Sequence, residues 1–136
     1  MAKKKAKKKV KVKKPKTYNL KSKITSALRM VWSYSPMKRE ALKRAEVGTK
    51  FEKTARSGRK YKAPHHKCEK CGEVVEDAKT DHIVPVVGYE GFKDWQIYID
   101  RLMVDSSGLQ ILCRPCHDAL TIVQKEIRKK MKEALK

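Results

Sequence analysis

Ile24, Leu28, Val31 and Trp32 recur at helical spacing, which predicts a helix from about Ser22 to Tyr34. Ser35-Pro36 supplies an N-cap followed by a proline at the first helical position. A second helix should therefore run to about Val47, with Met37, Ala41 and Ala45 on one face, before Gly48 ends it. From Gly48 to Pro64 the chain is basic and turn-rich without clear periodicity, and reads as a linker or arm. Val74-Val75 and the stretch from Lys79 to Val84 predict two short strands forming a hairpin, stopped by Pro85. Phe92, Trp95, Ile99 and Leu102 keep helical phase and predict an amphipathic helix to about Val104 whose aromatic stripe packs in the core. Ser106-Ser107-Gly108 makes a turn, Leu109–Leu112 a strand, and Pro115 opens a last helix. Leu120, Val123, Ile127, Met131 and Ala134 or Leu135 form a sustained apolar stripe on it. The class is α+β.

At 136 residues the chain is one small domain with appendages. Charge changes the picture most. Lys and Arg number 35 against 15 Asp and Glu, and a net charge of +20 calls for a polyanionic partner, by default nucleic acid. No acidic residue precedes Glu40, while lysines crowd Lys3 to Lys16. Residues 1–21 are expected to be a disordered tail in which Lys3, Lys4, Lys5, Lys7, Lys8 and Lys9 grip phosphates without reading sequence. A solubilising tail, or a nuclear-targeting signal in a nucleated source, is the plainer alternative. Residues 22–62 form a helical segment and basic linker, and residues 63–136 the main domain. Arg29, Lys38, Arg39, Lys43 and Arg44 are placed on outer helix faces, with Arg29 and Lys125 as further nucleic-acid contacts. The sequence has neither a run of apolar residues long enough to span a bilayer nor a secretory h-region, so an intracellular protein without a membrane partner is expected.

All four cysteines fall in two Cys-x-x-Cys knuckles, Cys68/Cys71 and Cys113/Cys116. Two such knuckles far apart in sequence converge naturally on one tetrahedral structural Zn²⁺. Four thiolates complete that site, so His65 and His66 are expected to be surface histidines near a polyanion. Gly72 permits the tight turn after the second ligand.

Between the knuckles lies Asp81-His82, and the second knuckle runs into His117, in the first turn of the last helix and facing the preceding hairpin. Phosphodiester hydrolysis needs a base for water and a cation for the phosphoryl oxygens, and these residue types supply both. Neighbours on a strand point to opposite faces, so Asp81 and His82 share one phosphate only at a strand end or bulge. Cys-x-x-Cys, then Asp-His-Ile-x-Pro, then Leu-Gln-x-Leu-Cys-x-x-Cys-His, from Cys68 to about Thr121, resembles the zinc-containing branch of the HNH (His-Asn-His) endonucleases, and its layout is similar to small phage-encoded members. The resemblance implies a ββα-metal core in which His82 is the general base and Asp81 and His117 hold a catalytic Mg²⁺ or Mn²⁺. It implies a DNA substrate, a location in the cytoplasm of an infected bacterial cell if phage-encoded, and, for double-strand cleavage, a homodimer, two nicks or a partner such as a packaging protein. Two positions depart from the family: Gly108 stands where it has Asn, with Ser106 and Ser107 close by, and Leu120 where many members have Lys.

The competing function is a catalytically weak or inactive zinc-stapled DNA-binding or assembly protein that retains the fold, and a third is an RNA-associated basic protein. The tail generates its own prediction. Deleting Met1 to Lys16 should weaken binding to all duplex sequences alike and flatten its salt dependence, since each phosphate neutralised adds ~0.9 to the slope of log affinity against log salt. Binding titrations at several salt concentrations check this, and an unchanged slope would assign the tail another role.

Overall fold

A computed structural model of the chain describes residues 17–136. The lysines expected to grip phosphate, Lys3 to Lys9, lie outside the described residues.

Helix α1 (Leu20–Ser33) begins two residues earlier than its apolar pattern indicates, because the Asn19 side chain accepts the Ser22 N–H and caps it. Leu28 and Trp32 pack inward, but Val31 is exposed. Helix α2 (Pro36–Ala45) starts at the Ser35-Pro36 pair, with Ala41 and Ala45 buried. It stops at Ala45, where Glu46 already adopts extended backbone angles.

The segment read as a linker or arm is instead regular structure. Strands β1 (Glu46–Thr54) and β2 (Lys60–Lys67) pair antiparallel from Thr54↔Lys60 to Lys50↔Pro64, with an irregularity between Glu46 and Lys50. Most residues on both faces of this ribbon are exposed, so no apolar alternation marks it in the sequence. Its loop is Arg56-Ser57-Gly58: Gly58 donates to the Ala55 carbonyl at 2.8 Å and, at φ +85, takes the left-handed conformation of a three-residue hairpin loop.

Strand β3 (Val74–Val75) pairs with His66 and Lys67 of β2, not with the next strand. Strand β4 (Lys79–His82) finds its partner farther on, in β5 (Leu109–Leu112), so the expected hairpin between β3 and β4 does not form. Among the described residues the two sheets are β1-β2-β3 and β4-β5. Helix α3 (Trp95–Leu102), capped by Asp94, buries Tyr98 and Leu102 and leaves Ile99 exposed. The Tyr98 hydroxyl can be buried because it accepts from Arg29 Nε at 3.1 Å. A 3-10 turn (Ser106–Gly108) leads into β5, and Cys113 then caps α4 (Arg114–Ala134) with Pro115 in its first turn. No residue of α4 is fully buried, and Val123 and Met131 of the expected stripe are exposed. No helix among the described residues is long and apolar enough to cross a membrane.

The core is divided among small clusters, and β5 lies at the junction of two of them. Leu109 and Ile111 pack on Ala41 and Ala45 of α2, while Leu112 joins Cys68 and Cys113. A third cluster gathers Val86, Tyr98 and Leu102, and Trp32 packs against both this cluster and the first. Arg44, expected on an outer face, fastens the parts together. Its guanidinium bonds Glu69 in the first knuckle and the Ser106 and Leu109 carbonyls, and the other Glu69 oxygen accepts the Ile111 N–H at 2.6 Å.

Ile111 is completely buried. Ile111→Ala should cost ~2–5 kcal/mol through lost burial and the cavity left behind. Chemical denaturation checks this, and a loss below about 1 kcal/mol would show that the junction collapses to fill the gap.

Candidate functional site

The four cysteine sulfurs lie within 4.8 Å of one another, with Cys71 and Cys113 Sγ 3.6 Å apart, and all four are free thiols. Four sulfurs at ~2.3 Å from a tetrahedral Zn²⁺ are separated by ~3.8 Å, so the donor set fits the ion in number, chemistry and spacing. Two local turns build it. In the first knuckle Gly72, at φ +78, donates to the Cys68 carbonyl at 2.9 Å, and in the second the His117 N–H donates to the Cys113 carbonyl as α4 starts. Cys68 and Cys113 are buried, Cys116 is half-buried against them and Cys71 is exposed.

Crowding sets the thiols against one another. Burial pushes the Cys68 thiol up, but hydrogen bonds from the backbone at Cys71, Cys113 and Lys70 draw it down to about 6. The hydrogen bond with the Cys113 side chain, followed by burial, raises Cys116 to about 12. A bound cation favours thiolate ligands, and binding it releases protons.

Asp81 and His82 follow the regular register of β4, opposite Gln110 and Leu109. His82 is the last residue of the strand, so the pair reaches a common pocket at a strand end and without a bulge. That pocket, about 420 Å³, is lined by Arg29, Asp81, His82, Pro85, Gln124 and Arg128, among others. His82 is buried against Trp32, ring centroids 4.8 Å apart, and its Nε2 lies 2.9 Å from the Leu102 carbonyl oxygen. A proton on Nε2 satisfies that carbonyl and leaves Nδ1 as the basic nitrogen. Asp81 meets the Gln110 amide at 3.5 Å.

His117 does not line this pocket. It is half-buried near the start of α4, with Nδ1 3.4 Å from its neighbour Asp118. Gln124 follows it seven residues along the helix, a rise of ~10 Å. Among the described residues the four cysteines form the one group of three or more metal donors, and neither Asp81 nor His117 belongs to such a group. Lys125 is exposed and also lies outside the pocket.

Sequence reading missed Arg128, which donates to the Val87 carbonyl at 3.1 Å while its buried Nε has no partner among the described residues. The signal was present in the helical stripe His117, Thr121, Gln124, Arg128, a polar line beside the apolar one. His65 and His66 are half-buried in β2; their Nδ1 atoms have no partner among the described residues, and His65 packs on Phe51. A larger cavity, about 490 Å³, opens beside the first knuckle between Arg44 and Gly72. It contains no residue of the Asp81–His82 pair.

Gly108 has a local cause. A Cβ there would come within 2.9 Å of the Val104 side chain, so the turn has no room for Asn. Its carbonyl accepts the Ile83 N–H at 3.0 Å and ties the end of β4 to the turn. Leu120, in place of Lys, packs against the cysteine cluster.

The result is a mixed α/β domain organised around a four-cysteine metal clamp. Comparison with family models, with curated proteins and with solved structures gives no match for this chain.

The clamp generates two outcomes. Cys71→Ser or Cys116→Ser should abolish stoichiometric zinc and unfold much of the domain, because structural zinc supplies ~10–16 kcal/mol of binding energy that acts as folding energy. Metal analysis with thermal melting checks this, and a well-folded wild type holding less than one zinc per chain would refute the site. The metal-free thiols hold more protons than the zinc-bound site, so zinc affinity should rise with pH and fall more than tenfold from pH 7 to pH 5. Chelator competition at each pH measures it.

Proposed function

We propose that the protein is a zinc-stapled DNA-binding protein that keeps the layout of the HNH endonucleases and cuts weakly or not at all. The observation that carries this reading is a four-cysteine clamp at ligand spacing within a chain of net charge +20. The clamp supplies rigidity, and the cationic surface supplies affinity for phosphate through counterion release. Arg29 and Arg128 bring two guanidinium groups to one pocket, which suits a backbone phosphate. Lys125 and the lysines of the N-terminal segment add sequence-independent grip.

A second reading, a DNA endonuclease, is favoured by one specific observation: Asp81 and His82 line the same pocket as Arg29 and Arg128. On this reading the Leu102 carbonyl orients the His82 imidazole, and Nδ1 takes a proton from the attacking water. Asp81 and His117 would hold a Mg²⁺ or Mn²⁺ ion, with water completing its shell, and that ion would neutralise charge on the phosphoryl oxygens. Arg29 and Arg128 would position the scissile strand.

Purified protein with supercoiled plasmid and Mg²⁺, Mn²⁺ or no metal separates the two. On the first reading duplex DNA binds more tightly than structured RNA, and nicking is weak or stays at background. Metal-dependent nicking that His82→Ala lowers by ~10²–10⁴, with DNA affinity and zinc content retained, would replace it with the second. Tighter binding to structured RNA would overturn both.

A further inference from the structure

The β1–β2 ribbon extends beyond the rest of its sheet, since β3 pairs only with His66 and Lys67 at its base. Above that point five successive cross-strand pairs, Lys50↔Pro64 to Thr54↔Lys60, form a two-stranded finger ~17 Å long before its loop. It carries Lys50, Lys53, Arg56, Arg59, Lys60 and Lys62, all exposed, against the single acid Glu52, which pairs with Lys60 at 3.2 Å. Alternation divides these cations between the two faces. Lys50, Lys60 and Lys62 share one face. Lys53 and its partner Tyr61 share the other, with Arg59 beside Tyr61 and Arg56 in the loop.

This distribution narrows the partner. A ribbon lying flat on a charged surface needs cations on one face only, whereas a ribbon charged on both faces and at its tip matches a channel walled by anions on both sides. The major groove of B-form DNA is such a channel, ~12 Å wide and ~8.5 Å deep, and admits a two-stranded ribbon. The major groove of duplex RNA is too deep and narrow for side chains to read. The ordered loop, closed by the Ala55–Arg59 and Gly58–Ala55 backbone bonds, presents Arg56 and Arg59 without the ordering cost of a flexible tail.

We propose that the β1–β2 ribbon inserts into the major groove of duplex DNA, flanked by phosphate on both faces. This rests on the DNA-binding reading above and adds the element and the groove.

The test compares wild type with the full-length R56S/R59S/K62S variant, which leaves the Lys60–Glu52 pair intact. Zinc content and thermal melting should be unchanged, as all three side chains are exposed. Affinity for duplex DNA should fall at least tenfold at 0.15 M salt, with a salt slope lower by ~0.9 for each phosphate that is no longer neutralised. Wild type should shield guanine N7 from dimethyl sulfate, and the variant should not. If wild type binds duplex DNA and the variant binds equally with the same slope, the ribbon proposal is overturned while DNA binding stands. Unchanged affinity with new self-association would overturn it too, showing that the cations only guard exposed strand edges. A wild type that binds no duplex DNA would remove the DNA-binding reading itself and the ribbon proposal with it.

Discussion

The fold depends on four sulfurs being allowed to sit together. Cys68 and Cys71 follow β2, while Cys113 and Cys116 join β5 to α4, so one metal held by the four sulfurs would tie the three-stranded sheet to the strand pair and the last helix. The apolar core is too divided to do this alone: among the described residues it falls into three clusters, and the buried members of the second are Cys68, Leu112 and Cys113. A chain of this size and charge opposes its own collapse, and a metal whose binding energy appears as folding energy answers that opposition.

The clamp would leave its first knuckle free to pivot if the cysteines were its only attachment. Glu69, inside that knuckle, prevents this by accepting the Ile111 N–H and an Arg44 N–H, while Arg44 also holds two carbonyls around the start of β5. Arg44 and Glu69 are partly exposed, so their ion pair alone contributes little. Its effect is geometric: one guanidinium fixes α2, the knuckle and the 3-10 turn relative to one another, and β4 is held in turn through β5.

Elements with one apolar face were legible in the sequence. The Ser35-Pro36 start of α2, the β5 run and the knuckles follow from capping, β propensity and ligand spacing. The β1–β2 ribbon was not legible because both of its faces meet solvent and no period of two survives. The pairing of β4 with β5 was hidden for another reason: the partners are distant in sequence, and the packing of Ile111 on α2 that accompanies the pairing leaves no local pattern. Tyr98 displaced Ile99 from the core because Arg29 satisfies its hydroxyl, a contact between residues 69 positions apart. Asp81 and His82 were legible as a pair, and both line one pocket at the end of β4. Arg128 was overlooked because a charged residue on a long helix ordinarily faces solvent.

The two departures from the HNH pattern have causes in packing. Val104 leaves no room for a side chain at position 108, and the cysteine cluster takes an apolar residue at 120. The turn is closed without an Asn side chain, by the Gly108 carbonyl on Ile83 and by Arg44 on Ser106 and Leu109. The Gly108–Ile83 bond fixes the residue that follows His82, and the Leu102 carbonyl engages His82 Nε2, so the end of β4 is held by backbone groups from the 3-10 turn and from α3.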